Sequence, residues 1–346
     1  MAKVEFLFID RSSVESLLPQ TEQLLAIVES GLLAHGKGEV VLPPKGHLDL
    51  DDRFNGHFNI LPGYAAPAGM SRGGMPSGGM AGVKVIGDYI DNYRQGLPSE
   101  IALLTLYDPK TGAPLALLDA TLLTWLRTGA VTGIGAKYLA PPESRIVGHI
   151  GARGTAFGNL AALASLFPLE EIRIASNRPE TREKLAREVE AKLGVRALAV
   201  DNVEAACRDA DIVVEATRLE KPEILIRDRW LKPGSLLVTY GWVMAVDPAT
   251  VAGVEKRVVD DWAQCRRGGA LYPLIASGAL RDEHIYAEIG QITSGDRPGR
   301  TQSDERILFW HRGFAISDIV LGAWILAEAR RKGVGQLLTL WEGPDE

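Results

Sequence analysis

The chain has 346 residues, 46% hydrophobic and 24% charged, the composition of a globular protein long enough for two ordinary domains. Its formal net charge of −6 argues against a nucleic-acid or polybasic membrane surface, yet leaves room for a locally basic pocket that takes an anionic cofactor and a carboxylate. Cys207 and Cys265 make no metal spacing or disulfide framework, no apolar run approaches a bilayer span, and the opening segment is broken by Glu5 and Asp10, unlike a signal peptide. The expectation is a cytoplasmic protein with no metal, no nucleic-acid partner and no membrane partner.

Val4–Ile9 reads as a short strand. Ser12 and Glu15 have the spacing of a capping box, opening one amphipathic helix that carries Leu17, Leu18, Leu24, Leu25 and Val28, with Gly31 and the 36–38 stretch near its end. From Val40 to about Asp119 the pattern turns to short β-like runs, mostly antiparallel in character: Val40–Leu42, Ile101–Tyr107 and Leu115–Asp119. Gly63–Gly82 holds seven glycines and reads as a flexible or close-packed loop leading into the apolar run Val83–Ile86. Asp108 to Gly112 is a turn between two strands. Helical spacing follows in Leu122, Leu123, Leu126, Ala130, Ile134 and Leu139.

After Pro141 and Pro142 strands and helices alternate. Strands are expected at Arg145–Ile150, Glu171–Ala175, Val195–Val200, Asp211–Ala216, Leu236–Tyr240 and Arg257–Asp260, with helices at Phe157–Phe167, Pro179–Leu193 and Asn202–Arg208. Such alternation means βαβ units and a parallel sheet. A last helix over Ser317–Lys332 is expected to fold back onto the first domain, by analogy with the way two-domain dehydrogenases often close their chain. The fold class is therefore α/β. A Rossmann-type parallel-sheet domain is expected over 124–315, and an α+β domain over 1–123 and 316–346.

The turn after the first strand of the alternating region runs from Gly151 through Ala152, Arg153, Gly154 and Thr155 to Ala156. A dinucleotide fingerprint needs small residues for the tight turn, for close approach of backbone to the pyrophosphate, and for helix–strand packing. Gly151 and Ala156 fit, but Arg153 takes the middle glycine's place. Gly154 could replace it, and Arg153 could set its guanidinium on a phosphate. The next strand ends in Ser176, Asn177 and Arg178, with no carboxylate for a ribose 2′-hydroxyl. Arg178 either pairs with a 2′-phosphate, favouring NADP over NAD, or is a solvated residue at a helix start.

Lys84 lies in an apolar run and must snorkel, pair with an acid or work in a pocket, where burial would lower its pKa. Arg127 stands among Leu122, Leu123, Trp125 and Leu126, as either a bidentate carboxylate ligand or a helix-surface arginine. Lys45 is a third candidate cation.

The order of these pieces resembles the ornithine cyclodeaminase/mu-crystallin family. The resemblance runs through Asn59 to Pro62, Lys84, Asn92, Pro98, the Asp108–Gly112 turn, Leu117 to Asp119 and Arg127. It continues through Asp211, Thr217, Gly234, Gly241, Asp260, Asp261, Gly299 to Thr301, and Gly313 to Asp318. It implies a homodimer formed through the first domain and an active site in the cleft between domains. Lys84 would be the active-site lysine, and Arg127 and Lys45 would hold the substrate carboxylate. Ala216, Thr217 and Gly241 would stand with the 151–156 turn and the 176–178 segment at the cofactor.

Cyclodeaminases of that family carry an aspartate shortly after the glycine matched by Gly241. Here Val243 or a neighbour stands there, and Asp247 comes later. The resemblance thus implies hydride transfer at a C–N bond, by an imine reductase or amino-acid dehydrogenase acting on a small amino or imino acid with NADP (or NAD). Ornithine cyclodeamination and non-catalytic NADPH binding are the alternatives. His311 and Arg312 either contact a second polar group of the substrate or close the domain interface, and Arg72 is a further residue that bears on pocket shape.

Overall fold

The computed structural model describes residues 2–66 and 78–343. The chain divides into two compact units, one of Met1–Arg127 with Phe314–Glu346 and one of Thr128–Gly313. The boundary thus falls a turn later in the helix Thr121–Leu139 than the sequence pattern suggested, which leaves Arg127 in the first unit.

In chain order, the first sheet is built from β1 (Ala2–Ile9), β2 (Val40–Val41), β3 (Gly46–Asp49), β4 (Gly56–Ala65), β5 (Met80–Tyr89), β6 (Glu100–Tyr107) and β7 (Pro114–Asp119). The second holds β8 (Ile146–Ile150), β9 (Glu171–Ala175), β10 (Arg196–Val200), β11 (Ile212–Glu215), β12 (Leu236–Thr239), β13 (Lys256–Val259), β14 (Ala287–Glu288) and β15 (Ile307–Trp310). The chain then returns to the first sheet as β16 (Gln336–Gly343).

In the first unit the path is β16-β1-β7-β6-β5-β4-β2, with β3 on β4, and every pair except β1 with β7 is antiparallel. Alternation along β6 and β7 buries Ala102, Leu104, Leu106, Ala116 and Leu118 on one face, as a half-covered sheet requires. The helix Ala315–Lys332 covers that face and packs in turn on the helix Thr21–Gly36. It is apolar over most of its circumference because it has protein on both sides.

Gly63 and Gly82 are strand residues paired in register across β4 and β5, not loop residues. A Cβ on Gly63 would stand 3.1 Å from Ala315, and one on Gly82 2.9 Å from Ile319, so these glycines let the long helix sit close to the sheet. Residues 67–77 of the glycine-rich segment, Arg72 among them, lie outside the described residues.

The N-terminal helix also differs from expectation. Asp10, not Ser12, caps a six-residue helix Arg11–Ser16 by accepting from the Ser13 amide at 2.8 Å. A break at 17–20, which contains Pro19, precedes the separate helix Thr21–Gly36, because proline cannot continue a helix interior. Gly31 lies inside that second helix, against Ile316 and Val320.

In the second unit the strand order is β10-β9-β8-β11-β12-β15-β13-β14, all parallel. Its first five strands follow the doubly wound dinucleotide-binding order, with the order reversing at β8, and β15 then enters between β12 and β13. The sequence pattern overlooked β15, although Ile307 to Trp310 are all buried and form the continuous apolar run expected of a central parallel strand. Among the described residues, no helix is long and apolar enough to cross a membrane.

Candidate active site

In the first unit, β5 carries Lys84 into the interior, with its side chain 1% exposed. Its Nζ donates to Asp318 Oδ1 at 2.8 Å and to Thr124 Oγ1 at 3.2 Å. Arg127 Nε donates to the same Asp318 oxygen at 3.0 Å. Three elements converge here: β5 supplies the lysine, helix Thr121–Leu139 supplies Thr124 and Arg127, and helix Ala315–Lys332 supplies Asp318, which is wholly buried.

Burial, and then the neighbouring Arg127, lower the Lys84 pKa to about 8, against the opposing pull of Asp318 and Glu100. Two cations share one aspartate, so with Lys84 protonated these three side chains carry one excess positive charge. A buried excess of that sign favours an anion as ligand. Asp318 was legible only as part of a motif, since nothing in the sequence around it says which residues its carboxylate meets.

The carboxyl edge of the second sheet gathers the residues expected to hold a dinucleotide. Gly151 follows β8 with φ +104°, and a Cβ there would lie 2.5 Å from the Ala216 carbonyl oxygen. Only glycine allows that approach. Gly154 has φ +57° and open space around it. Ala152 to Thr155 are half-buried or exposed, and Ala156 begins the helix Ala156–Leu166, whose first-turn amides lack intrahelical acceptors and suit a pyrophosphate. Bare backbone at a helix N-terminus therefore fits the cofactor. Arg153 is exposed at the outer bend of the turn, so it does not block it.

Glu215, at the end of β11, is fully buried, and desolvation raises its pKa. It accepts from the Thr217 amide at 2.8 Å and from Thr239 Oγ1 at 2.7 Å, and also from the Thr217 hydroxyl and the Gly241 amide. Glu215 thus ties Thr217 to Gly241, two segments expected at the cofactor. The sequence reasoning missed this residue, though a lone acid inside the strand Ile212–Glu215 was a visible anomaly.

Behind the first turn, His149 Nδ1 lies 2.8 Å from the Gly151 carbonyl and donates to it, so Nε2 accepts from Asn159 Nδ2 at 3.0 Å. Asn159 Nδ2 also reaches the Tyr240 hydroxyl at 2.6 Å, and that hydroxyl meets Thr155 Oγ1 at 2.6 Å. Burial holds the His149 pKa down at about 4, which keeps the ring neutral.

At the end of β9, Ser176 is half-buried and Asn177 and Arg178 are exposed, with Arg178 at the N-cap of helix Pro179–Leu193. Ser176 Oγ donates to the Arg178 carbonyl at 3.0 Å. Lys45 lies half-buried between β2 and β3. His311 is 1% exposed, bonded through Nε2 to Thr132 Oγ1 at 3.1 Å and stacked on Tyr240 with ring centroids 4.6 Å apart. The Arg312 guanidinium donates to the Gln264 carbonyl and lies over the Trp242 ring at 5.1 Å. Asp247 caps the helix Pro248–Gly253 through the Ala249 amide at 3.0 Å.

Sheet order and the bare turn make this a Rossmann-type dinucleotide-fold protein with a second α+β unit. More narrowly, the chain belongs to the ornithine cyclodeaminase/mu-crystallin family, whose sequence pattern matches residues 5–333. An alanine dehydrogenase of Archaeoglobus fulgidus is 31% identical over 338 residues, covering 96% of this chain and 98% of that one. The solved structure of Thermococcus litoralis Δ(1)-pyrroline-2-carboxylate reductase with NADH and L-proline matches with a TM-score of 0.87 at 30% identity, covering 96% of this chain and 99% of that one. An archaeal alanine dehydrogenase dimer with bound NAD gives a TM-score of 0.86 at 29% identity, over 97% and 100% of the two chains. The chain is accordingly an enzyme, an oxidoreductase of C–N bonds.

Proposed function

We propose that this enzyme reduces the C=N bond of a small imino acid, or oxidises the corresponding α-amino acid, with NADP as the preferred cofactor and NAD as the alternative. The observation that carries the reading is the buried Lys84–Asp318–Arg127 cluster, whose excess positive charge suits an α-carboxylate and whose lysine titrates near working pH. Arg127 offers its remaining guanidinium N–H groups to the carboxylate as a fork, and Lys45 adds a point charge. Lys84 delivers a proton to the substrate nitrogen as the C=N bond becomes C–N, and accepts one in the reverse direction. A protonated imine is the better hydride acceptor, so the donor belongs near nitrogen.

The cofactor, when bound, supplies or takes the hydride. Gly151, Ala152, Arg153, Gly154, Thr155 and Ala156 would hold its pyrophosphate, and Ala216, Thr217 and Gly241 would lie along its nicotinamide half. Ser176, Asn177 and Arg178 would receive the adenosine ribose. The exposed Arg178 and the lack of an acid at the end of β9 support a 2′-phosphate there. His311 and Arg312 are kept as candidates for a second polar group of the substrate, with His311 stacked on Tyr240 and Arg312 over Trp242. Asp247, the first acid after Gly241, is engaged as a helix cap, which argues against ring-closing chemistry on ornithine.

A homodimer completes the reading. On the outer face of the first sheet Ile60, Val85 and Leu103 stand in one register row, 38%, 39% and 48% exposed, an apolar stripe suited to a second copy. A cytosolic location accords with two free, buried cysteines.

Absorbance of NADPH and NADH with purified protein tests the chemistry. Imino acids formed from keto acids and ammonia, and Δ(1)-pyrroline-2-carboxylate, are set against L-ornithine with NAD. NADPH oxidation by an imino acid is the expected result. Proline and ammonia from ornithine, with no net change in cofactor, would overturn it.

A further inference from the structure

A lysine ammonium has three N–H donors in tetrahedral directions. On Lys84 two are committed, one to Asp318 Oδ1 and one to Thr124 Oγ1. Both acceptors are held from behind. Thr124 donates its own proton to the Ala120 carbonyl at 2.7 Å, so toward Lys84 its oxygen acts as an acceptor. Asp318 is wholly buried and is anchored a second time by Arg127 Nε.

A neutral lysine amine keeps two N–H groups and gains a lone pair. The two fixed acceptors therefore hold the amine in the same orientation in both protonation states. Whatever changes on protonation changes in the third direction alone, an N–H in one state and a lone pair in the other.

We propose that Thr124 and Asp318 are positioning residues that convert Lys84 from a flexible side chain into a one-direction proton carrier, aligned in both its acid and its base form. This rests on the reading of Lys84 as the acid–base group and deepens it, because it adds Thr124 and Asp318 to the working site without giving either a place on the substrate. The charged groups around the amine are Arg127 on helix Thr121–Leu139, Asp318 on helix Ala315–Lys332 and Glu100 on β6. Arg127 disfavours the ammonium, whereas Asp318 and Glu100 favour it. Thr124 carries no charge, so replacing it tests alignment apart from electrostatics.

The test compares wild type with Thr124→Val, Thr124→Ser and Asp318→Asn. Lys84 Nζ is titrated directly by NMR in the intact protein, which requires no substrate. Turnover of Δ(1)-pyrroline-2-carboxylate with NADPH is followed across pH. Thr124→Val is nearly isosteric and leaves the Asp318 pair in place.

The expected results are a lower Lys84 midpoint in Thr124→Val and Asp318→Asn, and a kcat loss of about tenfold or more in Thr124→Val with KM nearly unchanged. Thr124→Ser should restore both. In Asp318→Asn the high-pH limb of the rate profile should move to lower pH. A Lys84 midpoint indifferent to all three substitutions, or a Thr124→Val enzyme with wild-type kcat, overturns the proposal. Wild-type protein that oxidises neither NADPH nor NADH with any imino acid would instead overturn the imine-reductase reading, while the NMR titration would still decide for or against the positioning of Lys84.

Discussion

Lys84 shows how a single side chain can be anomalous in sequence and explained only by its neighbours. An amine that stayed in water would titrate near 10.5, whereas burial and Arg127 bring this one to about 8. The sign for activity follows directly. With Lys84 as the proposed proton donor, the reductive rate should hold below pH 8 and fall as pH rises through that value. The oxidative rate, which needs the free amine, should rise over the same range. A pH profile in both directions checks this, and parallel profiles would remove Lys84 from the proton step. Lys84→Ala should abolish turnover while sparing cofactor binding measured by fluorescence; retained activity would exclude it as the acid–base group.

The buried His149 makes a different prediction at the same scale. Its neutral ring joins the Gly151 carbonyl to Asn159, and through Tyr240 to Thr155, so it braces the turn proposed to hold the pyrophosphate. His149→Phe keeps an aromatic ring but breaks the chain, leaving buried polar groups unpaired at a cost of about 1–3 kcal/mol. Dinucleotide affinity should weaken by about tenfold, as a 1.4 kcal/mol loss would give. An unchanged Kd alongside a lowered Tm would assign the network to folding alone.

At the scale of elements, glycines decide how closely helices approach what they pack on. A Cβ at Gly129 would stand 2.4 Å from the Gly158 carbonyl carbon, backbone that cannot turn aside. Gly129→Ala should therefore force apart the helices Thr121–Leu139 and Ala156–Leu166, destabilising the protein by about 1–3 kcal/mol. A thermal melt of the variant checks this, and an unaltered Tm would show that the helices yield freely. The C-terminus of helix Thr121–Leu139 is closed from afar in sequence: Arg300 donates through its amide to the Tyr138 carbonyl and through Nε to that of Leu139, both at 2.9 Å. The Gly299–Thr301 stretch quoted in the family resemblance is thus, in part, a helix cap supplied by side chain and backbone together.

At the scale of the whole molecule, the first sheet has one face under the helix Ala315–Lys332 and an apolar row on the other. Leu103→Glu places a charge in the middle of that row. If a second copy covers it, light scattering after gel filtration should give half the wild-type mass, with the circular dichroism spectrum retained. A variant of unchanged mass would place the dimer surface elsewhere.

Much of this protein could be read directly from its sequence, for identifiable reasons. The alternation of β9, the helix Pro179–Leu193 and β10 is local, set by apolar period and by Pro179 and Gly194 at the helix ends, so it was legible with nearly correct bounds. The glycine turn after β8 was legible too, because backbone conformation at Gly151 depends on residues adjacent in the chain. Lys84 and Arg127 stood out in sequence as cations set among apolar residues, and both are buried. What only the tertiary structure decided involves partners distant in sequence. Gly63 and Gly82 looked like loop because nothing nearby reveals that a helix beginning at Ala315 would press on them. Asp318, Thr124 and Glu215 showed no role because a buried carboxylate or hydroxyl takes its meaning from the donors it meets, and folding alone brings those donors within hydrogen-bond reach.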